Sequence, residues 1–194
     1  MKERLRRVLS QRQKQRIINA NLIWAAVLLP IYYNQGQYYL LFTKRTQEMK
    51  DHRGQISFPG GAYQEDDGTL VNTALRECAE EIGLKAGDVE VLGELDDFVT
   101  QVSSYIISPF VAIIPWPYQF KVNRGEIEEI IEVPISALLA MGRLRLETRI
   151  IYGEEVTSFF YHYQGRVIWG ATARILNQFL DIFARAAEAV GECH

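Results

Sequence analysis

Three glutamates, Glu77, Glu80 and Glu81, fall at helical spacing in a short acidic stretch of the sequence. In an α-helix, residues i, i+3 and i+4 share one face, so these carboxylates would lie side by side. Like charges at that spacing repel by roughly 0.2–0.5 kcal/mol per exposed pair. Arg76, one turn before Glu80, can neutralise one of them. A hard divalent cation, Mg²⁺ or Mn²⁺, would neutralise the rest while also holding substrate phosphates.

The residues upstream of the glutamates strengthen this interpretation. Gly60 and Gly61 allow the backbone to turn sharply and to approach a ligand closely. An acidic loop, residues 65–67, follows the glycine pair. Two adjacent glutamates alone are more often part of a solvated helix face. The glycine pair, the acidic loop and the spaced glutamates together are rarer, and they favour a metal site.

A helix must position the three glutamates. Apolar residues recur at helical spacing between Thr69 and Ile82 and predict one buried stripe, formed by Val71, Ala74, Leu75, Cys78 and Ile82. Thr69 is a suitable N-cap, and Gly83 is suited to end the helix. The glutamates are expected on the face opposite the stripe.

The rest of the chain is dominated by strand patterns. The run "LIWAAVLL" predicts a buried strand, and "QYYLLFTK" predicts its hairpin partner across the turn "NQG". Further strands are predicted at "QISF", "VEVLGEL", "SYIISPFVAIIP" and "IEEIIEVP", and a hairpin turning at Gln164-Gly165. "ISALLAM" predicts a short helix, and Ala171 to about Val190 predicts a long one. The result is an α/β fold, a mixed sheet with helices on its faces.

Length and composition limit the class of protein. With 194 residues and 48% hydrophobic composition, we expect a single domain over 1–194, with a basic N-terminal helix at about 1–18 and a core at about 22–190. That helix is expected to be solvated rather than a phosphate-binding arm. The net charge of −3 argues against non-specific binding to nucleic acid or anionic membranes.

Location and cysteine chemistry follow from two further features. The apolar run "LIWAAVLL" is too short to span a membrane, and no small-residue cleavage site follows it. We therefore expect a cytoplasmic protein. The two cysteines, Cys78 and Cys193, do not make a disulfide framework, and Cys78 is expected to be a small core residue.

The segment "RECAEEIGL", residues 76–84, resembles the second half of the Nudix hydrolase box at every specified position. The resemblance implies an α/β/α sandwich and cleavage of nucleoside diphosphates linked to another group. It also implies catalytic roles for Arg76 and the glutamates, with divalent metal held by Glu77, Glu80 and Glu81. The first half departs from the pattern, because the loop carries one extra residue. Either Asp67 or Glu65 would supply the loop acid.

Segments outside the box resemble one branch of that family, the coenzyme A pyrophosphatase-like proteins. These segments are "LLFTKR", "HRGQISFPGG", "SSYIISPFVAIIP", "NRGEIEEIIEVPISALL" and "IWGATARIL", and the similarity covers roughly residues 24–180. The candidate substrate-binding residues are Lys44, Arg45, His52, Arg53, Gln55, Gly60, Gly61 and Tyr105.

The branch resemblance implies metal-dependent hydrolysis of coenzyme A, or an acyl derivative, to 3′,5′-ADP and a 4′-phosphopantetheine product. The alternatives are a Nudix hydrolase for another nucleotide and a Nudix-fold sensor that binds without cleaving. The three mutually repelling glutamates argue against the sensor. One of them, or Glu126 from a loop, would be the general base. The partners considered are the small-molecule nucleotide and, as an assembly, a homodimer; neither nucleic acid nor a membrane span is expected.

Overall fold

A computed structural model describes residues 1–19, 21–48, 54–100, 104–140, 144–151 and 154–188 of the chain. In chain order the elements are α1 (Lys2–Gln11), β1 (Ile23–Asn34), β2 (Gln37–Arg45), β3 (Ile56–Ser57), β4 (Gly60–Ala62), α2 (Leu70–Ile82), β5 (Glu90–Glu94), β6 (Phe98–Val99), β7 (Tyr105–Ile113), β8 (Ile127–Pro134), α3 (Ile135–Leu139), β9 (Leu144–Ile151), β10 (Glu154–Tyr163), β11 (Arg166–Ile168) and α4 (Gly170–Glu188).

Strand β1 lies at the centre of the main sheet. It pairs parallel with β7, antiparallel with β4, and antiparallel with β2 near its end. The β1–β2 hairpin turns at Gln35 and Gly36, which both have positive φ, as a tight two-residue turn requires. The predicted hairpin is therefore confirmed. Strand β8 pairs with β2 from Tyr39 to Arg45, and β3 pairs with Thr43 and Lys44 of β2.

Alternate residues of β1 and β2 serve opposite sides of this sheet. Leu29 and Leu40 belong to the core shared with α1 and α4, whereas Leu28 and Leu41 belong to the core shared with α2. Successive side chains of a strand point to opposite faces, so both faces are apolar and both are covered by helices. The predicted α/β class and sandwich architecture are confirmed.

A second, three-stranded sheet joins β9, β10 and β11 in antiparallel order. The β10–β11 hairpin turns at Gln164 and Gly165, as the sequence predicts. Strand β9 was not predicted, although apolar and charged residues alternate along "LRLE", residues 144–147. Alternation of this kind is typical of a half-buried strand, so the signal was present.

The N-terminal helix is shorter and more buried than predicted. It ends at Gln11, and residues 12–19 are not helical. Leu5 and Leu9 are buried in the same core as α4. The helix therefore packs on the fold and is not a solvated one, because its apolar stripe covers the end of the sheet beside β5.

Beyond α1, alternate basic residues turn toward acidic residues that follow β5. Arg12 Nη2 lies 3.0 Å from Asp96 Oδ2, and Lys14 Nζ lies 2.8 Å from Asp97 Oδ1. Residues two apart in an extended segment point the same way. An extended chain aligns these side chains with their partners, which explains why the expected helix to about residue 18 is wrong.

Two smaller expectations concern membrane spans and cysteines. Among the described helices, none combines the length and apolar character needed to cross a bilayer. Cys78 is fully buried, as predicted for a small core residue. Cys193 lies outside the described residues.

Candidate active site

Helix α2 begins and ends where the sequence predicts. The Thr69 hydroxyl accepts a hydrogen bond from the Asn72 N–H at 3.3 Å, which caps the first turn. Gly83 ends the helix in the left-handed region, with φ of 69°, where glycine is favoured. The capped helix fixes the positions of all three glutamates.

The three glutamates differ in burial, which the sequence analysis did not predict. Glu80 is exposed, but the side chain of Glu81 is only 3% exposed. Glu81 follows Cys78 by three residues, so it shares a face with a core residue. The expectation that the glutamates lie opposite the apolar stripe is therefore wrong for Glu81, which is drawn in beside the stripe and toward β4.

Glu81 lies in a polar niche beneath the glycine pair. Its Oε2 accepts a hydrogen bond from the Gly60 N–H at 3.3 Å, and its Oε1 lies 3.7 Å from Arg45 Nη1. Burial raises the pKa of Glu81 to about 8, aided by the charges of Glu77 and Glu126 and opposed by Arg45 and Gly60. A carboxylate is costly here, because it is desolvated and has like charges nearby.

Glu77 occupies space that only glycine leaves open. A Cβ on Gly61 would lie 2.5 Å from the Glu77 Cδ, so any larger residue would displace this carboxylate. Burial raises the pKa of Glu77, and Arg76 opposes that shift. The second glycine of the pair therefore serves the glutamate rather than the turn alone.

Arg76 joins the loop to the helix. Its Nε donates to Asp67 Oδ1 at 2.7 Å, and its Nη2 donates to the Ala62 carbonyl at 3.0 Å. Its Nη1 lies 2.7 Å from Glu77 Oε1 and 3.0 Å from Glu80 Oε2. Arg76 pairs with Glu80 as the sequence predicts, and it also reaches Glu77 and the loop acid, so its one positive charge is shared among three carboxylates.

Asp67, rather than Glu65, is the loop acid that faces the helix. It accepts hydrogen bonds from the Thr73 hydroxyl at 2.8 Å and the Gln64 N–H at 2.9 Å, whereas Glu65 is exposed. The bond from Arg76 lowers the pKa of Asp67 to about 2. Sequence reasoning missed Thr73, whose position four residues after the N-cap was the available signal.

Glu126 brings a further acid to the site from the turn before β8. Its charge raises the pKa values of both Glu77 and Glu81. Asn123 donates its side-chain N–H to Glu126 at 3.1 Å and its backbone N–H to the Glu81 carbonyl at 2.9 Å. Asn123 therefore fastens this turn to α2.

The candidate substrate-binding residues do not all converge. Arg45 faces Glu81, and its Nε is buried without a hydrogen-bond partner among the described residues. Lys44 instead pairs with Glu128 at 2.7 Å. Tyr105 pairs in the sheet with Ile23, four residues and roughly 13 Å along β1 from the partner of Gly60.

Three further candidate substrate-binding residues, His52, Arg53 and Gln55, precede β3 in the sequence. The Gln55 carbonyl accepts a hydrogen bond from the Arg45 N–H at 3.0 Å, so Gln55 lies beside the site. His52 and Arg53 lie outside the described residues.

The donor chemistry of the site fits a hard divalent cation. Glu77, Glu80 and Glu81 offer carboxylate oxygens, which Mg²⁺ and Mn²⁺ prefer. Within the described ranges, no three acidic, histidine or cysteine side chains converge as a preformed metal site. Arg76 holds Glu77 and Glu80 in ion pairs. A cation at this site would compete with Arg76 for these two carboxylates.

This fold and the carboxylates on α2 are those of a Nudix hydrolase. The NUDIX domain model matches residues 22–152, which is more than half of the chain, and the chain belongs to this family. The Nudix resemblance is confirmed, and so is the assignment to pyrophosphatase-type hydrolases. Enzymes of this family generally use divalent cations and act on small molecules derived from nucleotides.

Related proteins are similar in sequence to this chain over most of its length. Nudix hydrolase NudL of Photorhabdus laumondii, described as uncharacterized, is 36% identical over 154 residues, covering 79% of this chain and 81% of that protein. The NudL protein of Klebsiella pneumoniae, with the same description, is 36% identical over 162 residues, covering 83% of each.

Solved structures share the fold. A MutT/nudix family protein from Enterococcus faecalis matches with a TM-score of 0.59 and 15% identity, covering 92% of this chain and 66% of that one. The MutT protein of Methanosarcina mazei matches with a TM-score of 0.51 and 17% identity, covering 94% and 100%.

Proposed function

We propose that this chain is a metal-dependent pyrophosphohydrolase that converts coenzyme A, or an acyl derivative, to 3′,5′-ADP and 4′-phosphopantetheine or its acyl form. The observation that carries the reaction class is the burial of Glu81 between Gly60 and Arg45, close to two other acids. Burying a carboxylate among like charges costs stability. Costs of this kind cluster at functional sites.

Glu77, Glu80 and Glu81 are the proposed ligands of Mg²⁺ or Mn²⁺. When bound, such an ion screens the charge of the pyrophosphate and makes its bound water more acidic. The loop from Gly60 to Asp67 is held against the helix by Arg76. Arg76 thus positions the glutamates and the glycine backbone relative to each other.

The chain's own residues account for substrate orientation and proton transfer. Arg45 presents a buried guanidinium N–H that has no partner in the described part of the chain, which suits a phosphate oxygen. In the reaction a water oxygen bonds to one phosphorus, the P–O bond of the anhydride breaks, and the other phosphate leaves. Glu126, or one of the helix glutamates, would accept the proton of that water.

The coenzyme A assignment rests on sequence outside the box. The segments "HRGQISFPGG" and "IWGATARIL" resemble the coenzyme A branch; the first leads up to the glycine pair beside Glu81, and the second lies wholly outside the box. Coenzyme A differs from other adenine pyrophosphates by its 3′-phosphate and its long neutral arm. Lys44, His52, Arg53, Gln55 and Tyr105 stay as proposed substrate contacts.

A hydrolysis panel tests the substrate. The protein is assayed with coenzyme A, ADP-ribose, NADH and nucleoside triphosphates in Mg²⁺ and in Mn²⁺, and products are identified by mass. We expect kcat/KM for coenzyme A to exceed the others by at least about tenfold, which is ~1.4 kcal/mol. Excess chelator should abolish turnover. A panel led by ADP-ribose or a dinucleotide would overturn the coenzyme A assignment and leave Nudix chemistry standing.

The panel also separates an enzyme from a sensor. Tight binding of a nucleotide without product in either metal would favour the Nudix-fold sensor. The single domain over 1–194, the cytoplasmic location, the homodimer and the lack of a nucleic-acid partner stay predictions. Fractionation of cells and the mass of the protein in solution would test the location and the assembly.

A further inference from the structure

A trough of about 380 Å³ lies where the β10–β11 hairpin passes beside β3 and the end of β2. It is lined by Lys44, Gln55, Ile56, Arg166, Val167 and Trp169. This volume is at the lower end of the range for ligand sites, roughly 300–1,000 Å³. It suits one ring system rather than a whole dinucleotide.

The trough begins one residue from the candidate active site. Lys44 lines the trough, and Arg45, the next residue of β2, faces Glu81. Gln55 also lines the trough, and its carbonyl accepts the Arg45 N–H at 3.0 Å. Consecutive Cα atoms lie about 3.8 Å apart, and the β2–β8 register shifts between Lys44 and Arg45, so the trough and the candidate active site adjoin at this end of β2.

The charges of the trough are already matched. Lys44 Nζ lies 2.7 Å from Glu128 Oε1, and Arg166 Nη2 lies 2.6 Å from Glu129 Oε1. A second phosphate would have to displace these carboxylates. The electrostatics therefore favour an uncharged ligand group.

The aromatic wall favours a flat group. Trp169 is 46% exposed and Val167 is 37% exposed, while Ile56, which also lines the trough, is buried. An exposed tryptophan beside apolar side chains presents a ring face on which any nucleobase can stack. Matched charges and an open ring together point to a neutral aromatic ligand.

We propose that this trough receives the nucleobase of the substrate, stacked on Trp169, while the pyrophosphate lies at Arg45 and the α2 glutamates. The inference rests on the proposed function insofar as it assumes a nucleotide substrate. It does not depend on which group lies beyond the pyrophosphate. The base subsite and the hydrolytic site thus adjoin at the end of β2, at Lys44 and Arg45.

Binding measured without hydrolysis tests this subsite. Affinities of the full chain for AMP and for ribose 5-phosphate are measured by calorimetry in chelator. We expect Trp169→Ala to weaken AMP binding at least about tenfold and to leave ribose 5-phosphate unchanged, since only AMP carries a base. Trp169→Phe, which keeps a ring, should stay within about threefold of wild type.

A matched control is Tyr33→Ala. Tyr33 is an exposed aromatic residue beside the β1–β2 turn, roughly 20 Å along β2 from Lys44. Its loss should leave both affinities unchanged. Wild-type AMP affinity in Trp169→Ala, or no AMP binding by the wild type, would overturn the subsite. AMP binding that depends on Trp169, combined with no turnover of any nucleotide, would instead overturn the proposed function and leave the subsite standing.

Discussion

Two acidic clusters of this protein are built on opposite principles. The α2 cluster consists of Glu77, Glu80, Glu81 and Glu126. The β5 row consists of Glu90, Glu94, Asp96 and Asp97. Every acid of the β5 row meets basic side chains of the N-terminal segment, namely Lys2, Arg6, Arg12, Lys14 and Arg16.

The α2 cluster has fewer cations. Arg76 is shared with Asp67, and Arg45 is 3.7 Å from Glu81, too far for a hydrogen bond. Burial and like charges raise the pKa values of Glu77 and Glu81. The acids of the β5 row have enough counter-ions within the chain and hold the fold together. The acids of the α2 cluster share too few counter-ions, which suits an added cation. The comparison predicts opposite responses to mutation.

The largest effect is expected on folding, from the β5 row. Asp97 is 2% exposed and accepts hydrogen bonds from the Ser108 hydroxyl at 2.6 Å and the Ile17 N–H at 3.1 Å, beside Lys14 Nζ at 2.8 Å. Lys14 keeps Glu94 in Asp97→Asn, but the buried donors lose a charged acceptor, so we expect a loss of roughly 3 kcal/mol in the free energy of unfolding. Urea denaturation measures it. Glu90→Gln, at an exposed ion pair in the same row, should change the free energy of unfolding little. Equal losses of stability in the two variants would show that the burial of Asp97 does not matter.

The next effect is expected on catalysis, from the α2 cluster. Glu81→Gln keeps the shape of the side chain but removes a charged ligand. We expect kcat to fall by roughly 100-fold or more, at least ~2.7 kcal/mol in barrier height. Glu94→Gln, the matched change in the β5 row, should keep kcat within about threefold. Near-normal turnover by Glu81→Gln at saturating metal would show that Glu81 is not a metal ligand.

The smallest effect is a gain of stability from the same change. The pKa of Glu81 is raised to about 8 in the fold, above its ordinary value of 4.5. The contribution of Glu81 to the stability of the fold is therefore fully present below pH 4.5, where the carboxyl is protonated. It is lost as the pH rises through 8 and the buried carboxyl becomes charged. In chelator at pH 9, Glu81→Gln should therefore raise Tm by about 2 °C or more. At pH 4 the difference should vanish. Thermal unfolding at both pH values checks this, and a lower Tm at pH 9 would contradict it.

Local sequence patterns predicted the helix and turns of the site, but not which side chains contact each other there. Thr69 and Gly83 mark α2 because capping depends on neighbouring residues. The burial of Glu81 could not be predicted, because it depends on the packing of α2 against β4. Asp67 and Glu65 could not be separated for the same reason, since the choice depends on which one reaches Arg76.

The N-terminal segment shows the limit most clearly. Its basic residues are compatible with a solvated helix when the sequence is read locally. Their partners, residues 90–97, lie about 80 positions along the chain. No local periodicity reports such a pairing, so the extended segment after Gln11 was missed.

The long sequence separation between the basic N-terminal segment and its acidic partners has a consequence for synthesis of the chain. Residues 2–16 leave the ribosome before residues 90–97, and at about 5–20 residues per second these acidic partners follow roughly 4–16 s later. The parallel neighbour of β1, Tyr105–Ile113, comes later still. The nascent chain therefore carries a basic segment and an unpaired strand edge together for seconds. A slower ribosome would lengthen the period in which both are available to the wrong partner.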